Sequence, residues 1–216
     1  VLRWSDGRIH ETTARPVHLR RLGDAMARLH DQADAWTPPS GFVRIRWDYE
    51  AFFGDAMVYG VTSAAECWRL LPVDLRRRFE DVGQRMSEVL PLLGPDRLIH
   101  ADLHLGNAVF RGGDVALIDF DDCGTGPRLY DLAVALWELR DRPDYPMFRD
   151  ALLTGYRRHR DIDVTHLDDG IAMRQVAFDL WFTGMAVIDP VFAARTDQVR
   201  TIRDAHSLLA QSLDEA

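Results

Sequence analysis

Along most of this chain apolar positions recur every three or four residues, and that spacing predicts helices. Leu22, Met26, Leu29 and Ala33 fall on one such stripe behind Pro16, a residue suited to a first helical turn. A short aromatic-rich helix is expected from Trp47 to Val58. Pro72 introduces a longer one, with Leu75, Phe79, Val82, Met86, Val89 and Leu93 on its apolar face, and Gly94-Pro95 ends it. From Pro127 onward the period is helical again. One face carries Leu132, Ala135, Leu136 and Leu139, and further helices are expected near Met147–His159, Leu167–Val187 and Thr196–Leu213. Asp189-Pro190 separates the last two, because the residue before a proline is pushed out of the helical region.

Two short runs break that period. Leu98-Ile99 reads as a short strand. Ala108-Val109-Phe110 and Val115-Ala116-Leu117-Ile118 flank Arg111-Gly112-Gly113-Asp114, a β-hairpin pattern, since Gly-Gly supplies the positive φ that tight turns need. Leu2 and Trp4 alternate before Ser5-Asp6-Gly7 and suggest a strand end and turn. The fold class is therefore mostly α with a small β-hairpin, an α+β arrangement.

Composition narrows the function. With 47% apolar residues in 216, the chain can build a core, and no apolar run reaches membrane-spanning length. A formal charge of −8 argues against a nucleic-acid partner, which wants a basic stripe. Cys67 and Cys123 make neither a disulfide framework nor a four-ligand zinc site, and fit a reducing, cytoplasmic setting. There is no lysine; all 26 basic residues are arginine. No lysine-dependent chemistry can be complete within this chain.

The candidate chemistry lies between residues 98 and 122. His100, Asp102, His104 and Asn107 precede the hairpin, and Asp119, Asp121 and Asp122 follow it. Antiparallel pairing brings the entry of the first strand, Asn107, close to the exit of the second, Asp119. Their oxygens can then share one hard cation such as Mg²⁺, with Asp102 facing it from the preceding loop. A carboxylate for the nucleophile's proton, with an Asn and an Asp to hold Mg²⁺ against phosphates, is what phosphoryl transfer asks for.

His100-Ala101-Asp102-Leu103-His104-Leu105-Gly106-Asn107, with Ile118-Asp119-Phe120-Asp121 and Tyr130-Asp131-Leu132-Ala133, resembles the core of the aminoglycoside phosphotransferase and choline kinase family, with a protein-kinase-like fold. Ala101 stands where that family commonly has Gly. The resemblance implies an ATP- and Mg²⁺-dependent kinase acting on a small-molecule hydroxyl, of an aminoglycoside, choline, homoserine or similar acceptor. It implies Asp102 as catalytic base, Asn107 and Asp119 as metal ligands, and Asp121 as a candidate for a second metal or the substrate. His100 and Asp131 would be structural. Residues 1–8 would be the end of the N-lobe and hinge, and 9–216 the helical C-lobe. The glycine-rich turn and lysine of the nucleotide lobe are not in this sequence, so the chain alone is expected to be inactive and no nucleotide-binding residue is assigned.

Two other readings stay open. One is a kinase-like binding or regulatory lobe without catalysis. The other is a metal-dependent hydrolase using His100, Asp102 and His104 as alternating ligands. Trp and Tyr residues near acidic groups would suit a cationic acceptor. Oligomeric state is not encoded in any pattern here.

Overall fold

The computed structural model describes residues 4–54, 63–70 and 73–193. Leu2, Val58 and the helix expected over Thr196–Leu213 lie outside them, as do the side chains of Leu75, Phe79 and Val82. In chain order the elements are α1 (Pro16–Ala35), α2 (Tyr49–Phe53), α3 (Ala64–Leu70), α4 (Val73–Val89), β1 (Asp96–Ile99), β2 (Ala108–Arg111), β3 (Asp114–Leu117), β4 (Gly124–Pro127), α5 (Arg128–Trp137), α6 (Tyr145–Tyr156), α7 (Leu167–Ile188) and α8 (Pro190–Ala193). Short 3₁₀ turns cover Leu90–Leu93 and Leu105–Asn107. No helix among the described residues is long and apolar enough to cross a membrane.

The helical spacing is realised with local corrections. The stripe ending at Leu93 is not one helix: α4 stops at Val89 and Pro91 sits in the tighter 3₁₀ turn that follows. Leu139 lies two residues past the end of α5, still buried. Gly124-Thr125-Gly126-Pro127 reads as turn sequence, yet it is the strand β4. It pairs antiparallel with β1, from Asp96 opposite Pro127 to Ile99 opposite Gly124. The expected hairpin forms, with Ala108 opposite Leu117; Arg111 and Asp114, read as turn residues, pair within the strands, and Gly112 supplies the positive φ of 59°.

The chain forms two compact units, Val1–Arg44 with Asp96–Val164, and Ile45–Pro95 with Thr165–Ala216. The second holds α2, α3, α4, α7 and α8 around Phe52, Cys67, Met86, Met173 and Leu180. Phe53 meets Trp68 edge-on at 5.3 Å. The first holds α1, both two-stranded sheets, α5 and α6, and it contains every residue of the 98–122 constellation.

α1 and α6 form the tightest seam of the first unit. A Cβ on Gly23 would come within 2.2 Å of the Leu152 carbonyl oxygen, and one on Gly155 within 1.9 Å of that of Arg20. Only glycine lets the two backbones approach so closely. Leu19, Leu22, Met26, Phe148 and Leu152 are all fully buried in the same unit. At its end Arg160 ties down both Asp31 (2.6 Å) and Asp34 (2.9 Å). A Gly155→Ala variant is therefore expected to lose about 1–3 kcal/mol of stability, since a methyl has no space unless the helices part. Urea denaturation would read this as a lower midpoint.

Candidate active site

β1 ends at Ile99 and delivers the chain straight into His100, Ala101 and Asp102. β4, its partner, leads directly into α5, so Asp131 in the first turn of α5 comes beside that loop. The Asp131 side chain is completely buried. One carboxylate oxygen accepts the His100 N–H at 3.0 Å and the other accepts the Ala101 N–H at 2.7 Å. His30 Nε2 lies 2.9 Å from Asp131, and His30 Nδ1 lies 2.8 Å from the Tyr156 hydroxyl. Burial pushes the Tyr156 phenol up to about 12, so it stays protonated. A buried chain of Tyr156, His30 and Asp131 thus ends on two backbone N–H groups of the loop. Ala101 is held at φ 67°, the left-handed region that glycine enters freely and a residue with a Cβ does not. The alanine at the resemblance's glycine position is thus a strained one.

His100 is also buried, with both ring nitrogens committed. Nε2 lies 3.0 Å from the Ile118 carbonyl and Nδ1 accepts the Asp102 N–H at 3.4 Å. Those partners assign the tautomer with the proton on Nε2. The ring also packs against Phe120 at 4.4 Å. His100 therefore links the loop to the end of β3, one residue before Asp119, and has no nitrogen left for a metal. That corrects the hydrolase reading with His100, Asp102 and His104 as joint ligands.

Asn107 is buried at the entry of β2. Its Nδ2 donates to the Asp102 backbone carbonyl and to Asp102 Oδ2, both at 2.8 Å. The amide is thereby oriented, and its oxygen is the atom left for a cation. The ladder continues past the strands, with the Ile118 N–H donating to the Asn107 carbonyl at 3.0 Å. Asp119 follows that contact, exposed and at φ 62°. Asn107 and Asp119 thus stand at the same end of one ribbon, and amide and carboxylate oxygens are the hard donors that Mg²⁺ prefers. Asp121 and Asp122 lie exposed on the next turn, where the Phe120 carbonyl accepts from Arg44 at 2.8 Å. Burial raises the Cys123 thiol, keeping it an inert protonated group.

His104 caps the 3₁₀ turn, its Nδ1 accepting the Gly106 N–H at 3.2 Å. Its Nε2 stands 3.7 Å from Asp102 and its Nδ1 3.6 Å from Glu138, too long for firm hydrogen bonds in the neutral ring. Burial opposes charge on this ring, but the Asp102 and Glu138 carboxylates outweigh it and push its pKa up to about 9. A protonated Nδ1 cannot accept the Gly106 N–H, so that cap belongs to the neutral ring. Glu11 joins this group: ligand-type atoms of Glu11, His104 and Glu138 all lie within 4.8 Å of one another.

Residues 1–166 match the model of the phosphotransferase enzyme family. A relative from Deinococcus radiodurans, described only as an uncharacterized protein, is 32% identical over 190 residues, which are 83% of this chain and 52% of the relative. A microcompartment-associated aminopropanol kinase shares 24% identity at a TM-score of 0.67, over 92% of this chain and 60% of that one. An amicoumacin kinase solved with AMP-PNP and Ca²⁺ shares 18% at a TM-score of 0.71, over 95% and 62%. A choline/ethanolamine kinase family protein from Mesorhizobium loti shares 18% at 0.61, over 92% and 62%. At such identities the solved structures establish a common fold. The chain spans about half the length of the curated relative and about three fifths of these structures.

Two outcomes follow from this geometry. Asp131→Asn replaces an acceptor-only carboxylate with a group that must point an NH₂ at one of its three donors. A loss of roughly 3 kcal/mol or more is expected in denaturant unfolding. His104 has a folded pKa above the unfolded value of 6.5, so its stabilising contribution is complete below pH ~6.5 and disappears as pH rises through about 9. Stability measured from pH 6 to 10 should fall across that window, and His104→Gln should flatten the fall.

Proposed function

Because the chain belongs to the phosphotransferase enzyme family, we propose that it works in the transfer of the γ-phosphoryl group of ATP to a hydroxyl of a small molecule. The observation that carries this reading is the Asp102–Asn107 pair, fixed by two 2.8 Å hydrogen bonds on a loop that Asp131 holds from behind. Asp102 accepts the hydroxyl proton of the acceptor and orients that oxygen. Asn107 and Asp119 would hold Mg²⁺, which when bound neutralises charge on the transferring phosphate. Asp121, on the adjoining turn, would take a second metal or the substrate. His100 and Asp131 act as positioning residues.

For the acceptor, the solved relatives named for aminopropanol and for choline or ethanolamine suggest an alcohol bearing a cationic nitrogen. Support within this chain is electrostatic. Glu11 and Glu138 converge on His104, whose Nε2 lies 3.7 Å from Asp102, and the chain as a whole is acidic.

Asp102→Ala in the complete protein is expected to lower kcat by about 10²–10⁴-fold, the usual contribution of a positioned general base, while ATP still binds. Turnover with a panel of amino alcohols, paired with nucleotide binding by calorimetry, measures both. Turnover near wild type would remove Asp102 from this role. A wild-type protein that binds nucleotide and turns over no acceptor would favour the regulatory reading.

A further inference from the structure

The hairpin has a second charged end. Its turn, at Arg111 and Gly112, meets the segment Asp6–His10 and the start of α1, and together they enclose an open cavity of about 500 Å³. Four arginines line it, Arg8, Arg15, Arg21 and Arg111, in a chain whose net charge is −8. Asp6 is the sole acidic residue of the lining, 3.7 Å from Arg111. Arg21 is aimed by the backbone, donating to the Gly112 carbonyl at 2.6 Å. Arg8 and Arg15 make no ion pair among the described residues.

The floor is aromatic. The His10 and His18 rings stack with centroids 3.9 Å apart and planes 15° apart, and both rest against Phe110. His18 is buried and its Nδ1 accepts the Arg15 N–H at 3.3 Å. Burial, then His10, Arg15 and Arg21, hold its pKa down at about 4. Burial is the larger cause and the neighbouring cations add to it, so this histidine stays neutral well below its normal range. The 20-residue α1 adds the positive end of its dipole at the same place.

Gathering four like charges around one hollow is unfavourable unless something negative shares it. Guanidinium forks match the oxygens of a tetrahedral oxyanion, and charge-assisted bonds of that kind are the strong ones. We propose that this cavity binds a small phosphate-bearing anion. It lies at the opposite end of β2 from Asn107, roughly 13 Å along the strand. It is a site apart from the catalytic loop, and it stands whether or not the phosphotransferase reading does.

The test is a titration of the full-length protein with inorganic phosphate, and separately with glycerol phosphate, at about pH 7.5, where phosphate carries close to two charges. Ionic strength is held constant with sodium chloride, and His10 and His18 ring signals are followed by NMR. The expected result is a saturable shift of both rings. Binding should weaken roughly tenfold or more in the double variant Arg8→Gln/Arg15→Gln, which deletes two exposed arginines without disturbing a packed side chain. Tighter binding of one anion than the other tells free phosphate from a phosphate ester. No saturable shift, or equal affinity in the double variant, would overturn the proposal. So would a response lost in Asp119→Asn and indifferent to the arginines, which would place the anion at the catalytic loop.

Discussion

The first unit is organised around one buried carboxylate. Removing Asp131 from water is costly, and the cost is met because each oxygen has donors. Those donors come from segments distant in sequence: His30 on α1, His100 and Ala101 after β1, with Tyr156 on α6 behind His30. The same bonds hold Ala101 in a left-handed conformation that alone would cost on the order of 1 kcal/mol. The direction in which Asp102 leaves the loop is set by this arrangement and not by local backbone preference.

From that anchor the site is assembled through backbone contacts. His100 fastens the loop to Ile118, the hairpin ladder fastens Ile118 to Asn107, and Asn107 fastens Asp102. The circle brings Asp102 against the Asn107 amide and leaves Asp119 at the same end of the ribbon. Little of this is reactive in itself. It is positioning, and it suits chemistry in which the protein contributes mainly geometry and charge. Cores of this kind depend on polar atoms that are all satisfied, because a buried donor or acceptor left over is expensive.

Periodicity and spacing made much of this legible. The hairpin, the bounds of α7 to within a residue, and the placing of Asn107 and Asp119 at one end of that hairpin could be read from the sequence. β4 could not, because Gly-Thr-Gly-Pro carries turn chemistry and its strand geometry comes from pairing with β1, a long-range effect. His30 was missed although it lies four residues after Met26 on the apolar stripe, where a polar residue needs a buried partner. Glu11 and Glu138 had no signal at all, since nothing in spacing joins residues 11, 104 and 138. The left-handed Ala101 and Asp119 carried only weak signals: a family glycine position for the first, and for the second a residue type that tolerates positive φ.

The glycine seam between α1 and α6 carries a mechanical consequence. With backbone against backbone at Gly23 and Gly155, the two helices mesh like splined shafts. Neither can slip by a residue or roll without a carbonyl striking its neighbour, since packed interfaces of this kind have discrete arrangements and do not deform smoothly. Tyr156, the next residue after Gly155, bonds His30, so the position of α6 is tied through His30 and Asp131 to the loop ahead of Asp102.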